Sequence, residues 1–213
     1  MESRENAEKF WDRTALFYDK AEQNDASYKI FIEAAKKYIS ANDTVLDFGC
    51  GTGIVCNEIA NQVKSIYAID ISSKMIEISR AKSSERKIQN IEFAHTTLFN
   101  EKIKPGSFDA IIAFNIFHLL GEPQKSIQRI NELLKPEGFI ISLTPCLGES
   151  PLLNSLLKIG SKLRLIPRLK SFKISEFEQF FNDENFVQTE SYRLKPNSPQ
   201  YLFIAEKSDI NSI

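Results

Sequence analysis

TVLDFGCGTG, at residues 44–53, is the segment that specifies the fold. A short run of β-branched and apolar residues ends in an acid, and glycine then stands at every second position. Glycine lets the backbone turn sharply and lets a ligand approach the main chain closely. The pattern therefore predicts a nucleotide-binding loop between the first strand and the first helix of an α/β sheet.

The spacing of these glycines distinguishes two kinds of ligand. A dinucleotide fingerprint reads G-x-G-x-x-G, whereas the sixth position counted from Gly49 is Ile54. The chain has D-x-G-x-G-x-G instead, which resembles the first motif of the class I S-adenosylmethionine-dependent methyltransferases. This resemblance implies S-adenosylmethionine as cofactor, with four residues of the loop in its site: Asp47, Gly49, Gly51 and Gly53.

A second acid supports the same interpretation. The apolar run at residues 65–69 ends at Asp70, about 20 residues beyond the loop, where an acid is placed to accept both ribose hydroxyls. A carboxylate suits two adjacent donors because both of its oxygens accept charge-assisted hydrogen bonds. Asp70 would suit NAD equally well, so the loop spacing selects the cofactor.

Composition excludes several classes of protein. The chain has 213 residues, enough for one domain with a full core, and 42% of them are hydrophobic and 26% charged, as in ordinary globular proteins. A net charge of −1 argues against a nucleic-acid binder. The three cysteines are not spaced as zinc ligands, so we expect neither a metal site nor a disulfide framework. The opening residues MESREN lack the apolar core of a secretory signal, so we expect a cytoplasmic protein.

Strand-like and helix-like segments alternate along the chain, which predicts a doubly covered, mainly parallel sheet. We expect parallel strands at 44–48, 65–70, 90–95, 107–114 and 137–144. We expect helices at 4–17, 26–40, 53–62, 72–83 and 122–134, with Pro136 ending the last. A turn with two prolines separates strands at 185–195 and 200–206, which predicts an antiparallel C-terminal hairpin. A mainly parallel sheet with one reversed strand at the edge is the arrangement of the family named above, so the resemblance implies a seven-stranded, Rossmann-like class I methyltransferase fold.

Four parts follow within one domain. They are the N-terminal cap helices (1–43), the cofactor-binding core (44–146), a basic amphipathic substrate lid (147–175), and a C-terminal helix with the hairpin (176–207).

The N-terminal segment WDRTALFYD, residues 11–19, carries a second resemblance. It is similar to a segment of the type 11 and ubiquinone-biosynthesis-like methyltransferases. That resemblance implies that Tyr18 lies near the methionine part of the cofactor and that Trp11 packs in a helix closing the site. The alternative is that both are ordinary core aromatics of a capping helix.

The adenine end of the site departs from the family pattern. The segments SFDAIIAF (107–114) and LLKPEGF (133–139) are similar to family scaffold motifs. After the third strand, however, Thr97 and Leu98 stand where the family has an acid and a small residue. A threonine hydroxyl lacks the carboxylate charge, so we expect adenine to be held more weakly, not lost.

Four further residues belong to the expected cofactor site or lie beside it. Ile71 and Met75 follow Asp70 at the start of a helix, where either could face adenine or simply belong to the core. Phe114 and Asn115 end the fourth strand, at the carboxyl edge where α/β sites form.

His118 is the candidate general base. It follows the fourth strand, and a free imidazole has a pKa near 6.5. The alternative is a structural histidine. We expect Cys50 to fill space within the loop and His95 to end the third strand at the surface.

Residues 150–175 contain six cations and no carboxylate: Lys158, Lys162, Arg164, Arg168, Lys170 and Lys173. Apolar residues recur among them at helical spacing: Leu152, Leu156, Ile159, Leu163 and Ile166. The favoured interpretation is a lid helix whose apolar face packs on the protein and walls a pocket. The alternative is peripheral contact of 151–174 with an anionic membrane.

These features predict methyl transfer to a small, lipophilic molecule. Two alternatives remain open: a quinone or lipid methyltransferase at a membrane surface, and a cofactor-binding protein without catalysis. An RNA or protein methyltransferase is disfavoured, because Asn115-Ile116-Phe117-His118 stands where such enzymes carry an Asn-Pro-Pro-Tyr-like motif.

Overall fold

A seven-stranded sheet covered by helices forms the protein. The computed structural model describes residues 4–22, 26–162, 166–196 and 198–208. The strands are β1 (Thr44–Phe48), β2 (Ser65–Asp70), β3 (Ile91–His95), β4 (Phe108–Phe114), β5 (Leu134–Pro145), β6 (Phe186–Arg193) and β7 (Gln200–Lys207). The helices are α1 (Arg4–Glu22), α2 (Ala26–Lys36), α3 (Ile54–Ile59), α4 (Ser73–Glu85), α5 (Pro123–Leu133), α6 (Pro151–Lys162) and α7 (Ile174–Asn182).

The strand order is β3-β2-β1-β4-β5-β7-β6. Strands β1 to β5 pair in parallel, while β7 pairs antiparallel with both β5 and β6. The predicted parallel core and antiparallel hairpin are confirmed. The reversed strand was expected at the edge, which is wrong: β7 inserts between β5 and β6, where it gains a hydrogen-bonded neighbour on each side. The chain order changes direction between β1 and β4, and ligands bind above such a switch point.

Side-chain alternation divides the core between the two faces of the sheet. On β5, Ile141 and Leu143 join one cluster with α2 and α3, while Ile140 joins a second with α5 and α7. The second cluster is rich in phenylalanine, and the Phe181 and Phe203 ring centroids lie 4.6 Å apart. Both faces are covered, as the apolar runs of a parallel sheet require.

The boundary between α5 and β5 differs from the prediction. The helix ends at Leu133, and Leu134 already pairs with Phe108, so Pro136 lies inside the strand rather than beyond a helix. The register shifts between Phe108 and Ala110, and Glu137 has a φ of 59°. This irregularity accommodates proline, which cannot donate to a regular ladder.

The outer helices also differ in length and in packing. Helix α1 is longer than expected, and α2 ends at Lys36 rather than near residue 40. In α6, Leu156 and Ile159 were expected to pack on the protein, but they are 59% and 57% exposed. The favoured interpretation of the apolar face is therefore wrong at these two positions. Arg164 and Leu163 lie outside the described residues.

Candidate cofactor and acceptor site

The glycine loop is folded tightly onto β2. The N–H groups of Gly49 and Cys50 both donate to the Ile69 carbonyl, at 2.9 and 3.0 Å. Gly49 has a φ of +75°, and a Cβ there would lie 2.8 Å from Cδ1 of Ile116. Gly53 has a φ of +77°, and its Cβ would meet Asn57 and a serine of α4 at 2.9 Å. Both positions thus require glycine to let the loop pack.

Asp70 is held at the tip of β2 by backbone donors. Its Oδ2 accepts from the Gly51 N–H at 2.9 Å, and its Oδ1 accepts from the Ser72 N–H at 2.8 Å. Burial raises the pKa of this carboxyl, and these hydrogen bonds oppose that shift by favouring the charged form. Each carboxylate oxygen retains acceptor capacity toward a ligand.

Helix α1 forms a roof over the loop. Trp11 and Tyr18 meet edge to face, with ring centroids 6.1 Å apart, and both line the cavity beneath. Asp12 fastens this helix to the start of α4: its Oδ1 accepts from the Ser72 hydroxyl at 2.6 Å and from the Lys74 N–H at 3.1 Å. Glu8 adds a second contact, 3.1 Å from Nε2 of His95.

A cavity of about 210 Å³ lies between the sheet edge and this roof. It brings together nine of the predicted cofactor residues: Tyr18, Gly49, Gly51, Asp70, Ile71, Thr97, Leu98, Phe114 and Asn115. These residues come from α1, the ends of β1, β2 and β4, and the loop after β3. Met75 also lines the cavity while being buried in α4, so its two alternative roles coexist.

Three predicted site residues lie outside the cavity lining: Asp47, Gly53 and His118. Gly53 is the N-cap of α3 and packs against α4. Asp47 is buried under the loop, and its Oδ2 has no hydrogen-bond partner within the described part of the chain. Burial raises the pKa of Asp47 to about 7, because hydrogen bonds from Cys56 offset the lost hydration only in part.

His118 is half-buried and is not among the residues that line the cavity. Burial lowers its pKa to about 4, and Nδ1 has no partner among the described residues. An imidazole with so low a pKa is neutral at pH 7 and is a weak base. Its role as a general base stays a prediction. The backbone carbonyl of His118 has a structural role, because it accepts a hydrogen bond from the Lys170 N–H at 2.7 Å.

The wall on the β4 side of the cavity was not predicted from sequence. It is formed by Ile116, Leu119, Leu120, Ser126 and Pro167, with Arg168 beside them. Asn115 adopts a φ of 53° directly after β4, which turns the following segment toward the cavity. An asparagine after a strand is a usable signal for this turn, because asparagine tolerates positive φ better than other non-glycine residues. Pro167 and Arg168 are distant in sequence but belong to the segment 147–175 that was predicted as a substrate lid.

Two kinds of feature are not found among the described residues. No helix there combines the length and apolar character that a membrane span requires. No cluster of three or more His, Cys, Asp or Glu side chains there could hold a metal ion. Cys50, Cys56 and Cys146 are all buried, and none of them forms a disulfide.

Comparison with known proteins relates this arrangement to one family. A family profile described as "Methyltransferase domain" matches residues 39–186. The chain is 28% identical over 133 residues to a ubiquinone biosynthesis O-methyltransferase of Albidiferax ferrireducens, covering 60% of this chain and 51% of that protein. It is 26% identical over 149 residues to a malonyl-[acyl-carrier protein] O-methyltransferase of Halalkalibacterium halodurans, covering 66% and 55%. The chain thus matches little more than half the length of these relatives.

A solved structure shows the shared fold. The 1,6-didemethyltoxoflavin-N1-methyltransferase of Burkholderia thailandensis, with S-adenosylhomocysteine bound, superposes with a TM-score of 0.75 at 16% identity. The superposition covers 96% of this chain and 88% of that one.

Proposed function

Because the chain belongs to the class I S-adenosylmethionine-dependent methyltransferases, we propose that it transfers a methyl group to a small lipophilic molecule. The observation that carries the proposal is the continuity of one cavity. It runs from Asp70 and the glycine loop to the apolar wall at Leu119 and Leu120.

The residues of the cavity fit the cofactor, which is S-adenosylmethionine. Asp70 would hold the ribose hydroxyls, and Thr97 with the Leu98 backbone would hold adenine. Gly51 would let the ligand approach the main chain, since a Cβ there meets only the Tyr18 ring, at 3.5 Å. A side chain at this position would therefore project into ligand space while leaving the protein's own packing intact.

The sulfonium of the cofactor supplies an activated methyl group, so the chain mainly has to align the acceptor and exclude water. Alignment of two reactants contributes roughly 7–11 kcal/mol to lowering a barrier. The roof residues Trp11 and Tyr18 line the cavity together with Pro167, and these three side chains would exclude water.

Proton transfer has few candidates within the cavity. The described lining contains no His, Glu, Lys or Cys, and Asp70 is committed at the cofactor end. His118 would need to move into the cavity to reach the acceptor, because it is not among the lining residues. The lining therefore favours an acceptor that is already nucleophilic, such as a carboxylate or an acidic hydroxyl, over one that a strong base must ionise.

The chemical class of the acceptor follows from the wall at Ile116, Leu119, Leu120 and Pro167. Apolar walls with few polar groups favour a lipophilic body. Two relatives agree with this in name, since one acts in ubiquinone biosynthesis and another on malonyl-[acyl-carrier protein].

Trp11 makes the first test direct, because it is the only tryptophan of the chain and lines the cavity. Titration with S-adenosylhomocysteine should change its fluorescence with a micromolar dissociation constant. Asp70→Ala should abolish the change, while Glu77→Gln, an exposed acid of α4, should leave it intact. Absence of binding to the wild-type protein, or preferential binding of NAD, would refute the proposal.

Turnover is tested by S-adenosylhomocysteine release across a panel of lipophilic carboxylates, phenols and amines. Release with one class supports a methyltransferase acting on that class. Cofactor binding without release across the panel would instead support a non-catalytic binding protein, which the missing acid at Thr97 leaves as an alternative.

A second candidate is a methyltransferase that works at a membrane surface, favoured by the exposure of Leu156 and Ile159 on a basic helix. Co-sedimentation with anionic vesicles should fall when both become serine. Val187→Ser is the matched control, because Val187 is 58% exposed on β6, in another element. Sedimentation that is equal for all three proteins, or equal with neutral vesicles, would contradict this candidate.

A further inference from the structure

Two charged side chains stand at different sides of the cavity. Of the described residues that line it, only Asp70 and Arg168 carry charge. Asp70 ends β2, on the cofactor side of the switch point, and its oxygens are bound by backbone N–H groups. Arg168 lies beyond α6 in the strap, which we define as residues 166–173. The two charges therefore address different parts of the cavity's contents.

The strap is fastened to the body at two points. The Lys170 N–H donates to the His118 carbonyl at 2.7 Å, beside the end of β4. The Phe172 carbonyl accepts from the Gly148 N–H at 3.0 Å, and the Phe172 ring stacks on Phe177 with centroids 5.3 Å apart. These contacts hold the backbone near Arg168 at the acceptor wall, so its placement there is set by the fold.

The segment that contains the strap is uniformly basic. Residues 150–175 contain cations and no carboxylate. A guanidinium beside an apolar wall matches a ligand with a hydrocarbon body and an anionic head, since its planar fork binds carboxylate or phosphate oxygens in pairs. A neutral or cationic head would gain no charge-assisted pair there.

We propose that the acceptor is an amphiphilic anion whose apolar body lies against Leu119 and Leu120 and whose carboxylate or phosphate group is bound by Arg168. This inference rests on the proposed function, because it assigns the acceptor of the same site. The apolar wall indicates only the lipophilic body of the acceptor, and this inference adds the chemical class of its head group.

The test uses calorimetry on the full chain saturated with S-adenosylhomocysteine. The probes share one chain length and differ in the head: octanoate, octyl phosphate, octanol and octylamine. We expect at least one anion to bind about tenfold more tightly than octanol, as one charge-assisted pair contributes, and octylamine to bind most weakly. The anion with the higher affinity then identifies the head group as carboxylate or phosphate.

Arg168→Gln should reduce anion affinity to that of octanol, leave octanol binding unchanged, and leave S-adenosylhomocysteine binding unchanged. Lys170→Gln is the matched control: it removes the same charge from the same strap, its side chain is exposed, and it does not line the cavity. Raising ionic strength should weaken anion binding to the wild-type protein, because salt screens an exposed pair.

Three results would overturn the inference. They are equal affinity for octanol and both anions, an equal loss of anion affinity in Arg168→Gln and Lys170→Gln, and no binding of any probe to the cofactor-loaded protein. Each of these leaves S-adenosylhomocysteine binding intact, so it bears on the anionic head group and not on the cofactor. Loss of that binding in the wild-type protein refutes the proposed function instead.

Discussion

Replacing Asp47 with asparagine should remove a large pH dependence from the stability of the ligand-free protein. Burial raises the pKa of Asp47 from 3.8 to about 7. A carboxyl that holds its proton more tightly when folded stabilises the fold fully below its unfolded pKa. That contribution is lost as pH rises through the folded pKa. The contribution of Asp47 to the stability of the fold therefore changes in the window between about pH 4 and pH 7.

The size of the effect follows from the shift. Each pKa unit corresponds to about 1.4 kcal/mol, so a shift of about three units is worth about 4 kcal/mol between the ends of the window. The asparagine introduced by Asp47→Asn is neutral at every pH and similar in shape to the acid. The free energy of unfolding of the wild-type protein, relative to that of the variant, should therefore fall by up to about 4 kcal/mol from about pH 4 to about pH 8.

Urea unfolding followed by circular dichroism at closely spaced pH values measures this difference directly. The other titrating groups are present in both proteins, so their own contributions cancel, while the repulsion between Asp47 and Asp70 is part of the measured difference. Asp109→Asn is a control of opposite sign. Burial of Asp109 is outweighed by Lys135 and the Thr44 N–H, which lower its pKa. Its contribution is present above the unfolded pKa and is lost as pH falls.

A difference between the wild-type protein and Asp47→Asn that stays constant across this pH range would refute the reasoning. It would mean that the buried carboxyl is hydrated or paired and ionises at its ordinary pKa.

Three further substitutions test, in turn, the packing of the glycine loop, its contact with the ligand and the docking of α1. Gly49→Ala should lower the free energy of unfolding by about 1–3 kcal/mol, because its Cβ overlaps Ile116 at a positive φ. Gly51→Ala should cost only about 1 kcal/mol from its positive φ, yet weaken S-adenosylhomocysteine binding more than about tenfold, since its Cβ faces ligand space beside Tyr18. Asp12→Ala removes two hydrogen bonds to the start of α4. It should shift the emission of the single tryptophan to the red as α1 detaches, with weaker cofactor binding.

These outcomes are measured by urea denaturation, calorimetry and fluorescence, respectively. Equal cofactor affinity for Gly51→Ala and the wild-type protein would place the ligand away from the loop. An unchanged emission spectrum for Asp12→Ala would show that α1 stays docked through its other contacts, such as Glu8 with His95.

The residues on the cofactor side of the site can be predicted from the sequence because they lie close together along the chain. The spacing from Asp47 to Gly53 sets the turn, and Asp70 follows β2 at a fixed distance. Parallel strands place their carboxyl ends at one edge, so the acid and the loop must meet. The helices and strands of this region accordingly lie within a few residues of their predicted bounds.

Three features of the fold depend on long-range packing and could not be predicted from the periodicity of the sequence. The apolar repeat of α6 is the same whether Leu156 and Ile159 face the protein or solvent, and only the packed fold leaves them exposed. The position of β7 between β5 and β6 likewise depends on which edge is free when the hairpin docks. Proline in β5 is tolerated because a bulge relieves the ladder there.

Spacing along neighbouring segments was therefore enough to predict the fold class, the cofactor and nine of the residues that line its cavity. The acceptor side emerged only when distant segments packed together. Packing left the half-buried His118 outside the cavity lining and brought Arg168 of the strap to the cavity wall near the end of β4. The placements of His118 and Arg168 depend on a contact between segments about 50 residues apart in the chain, Lys170 with His118, for which local sequence carries no periodic signal.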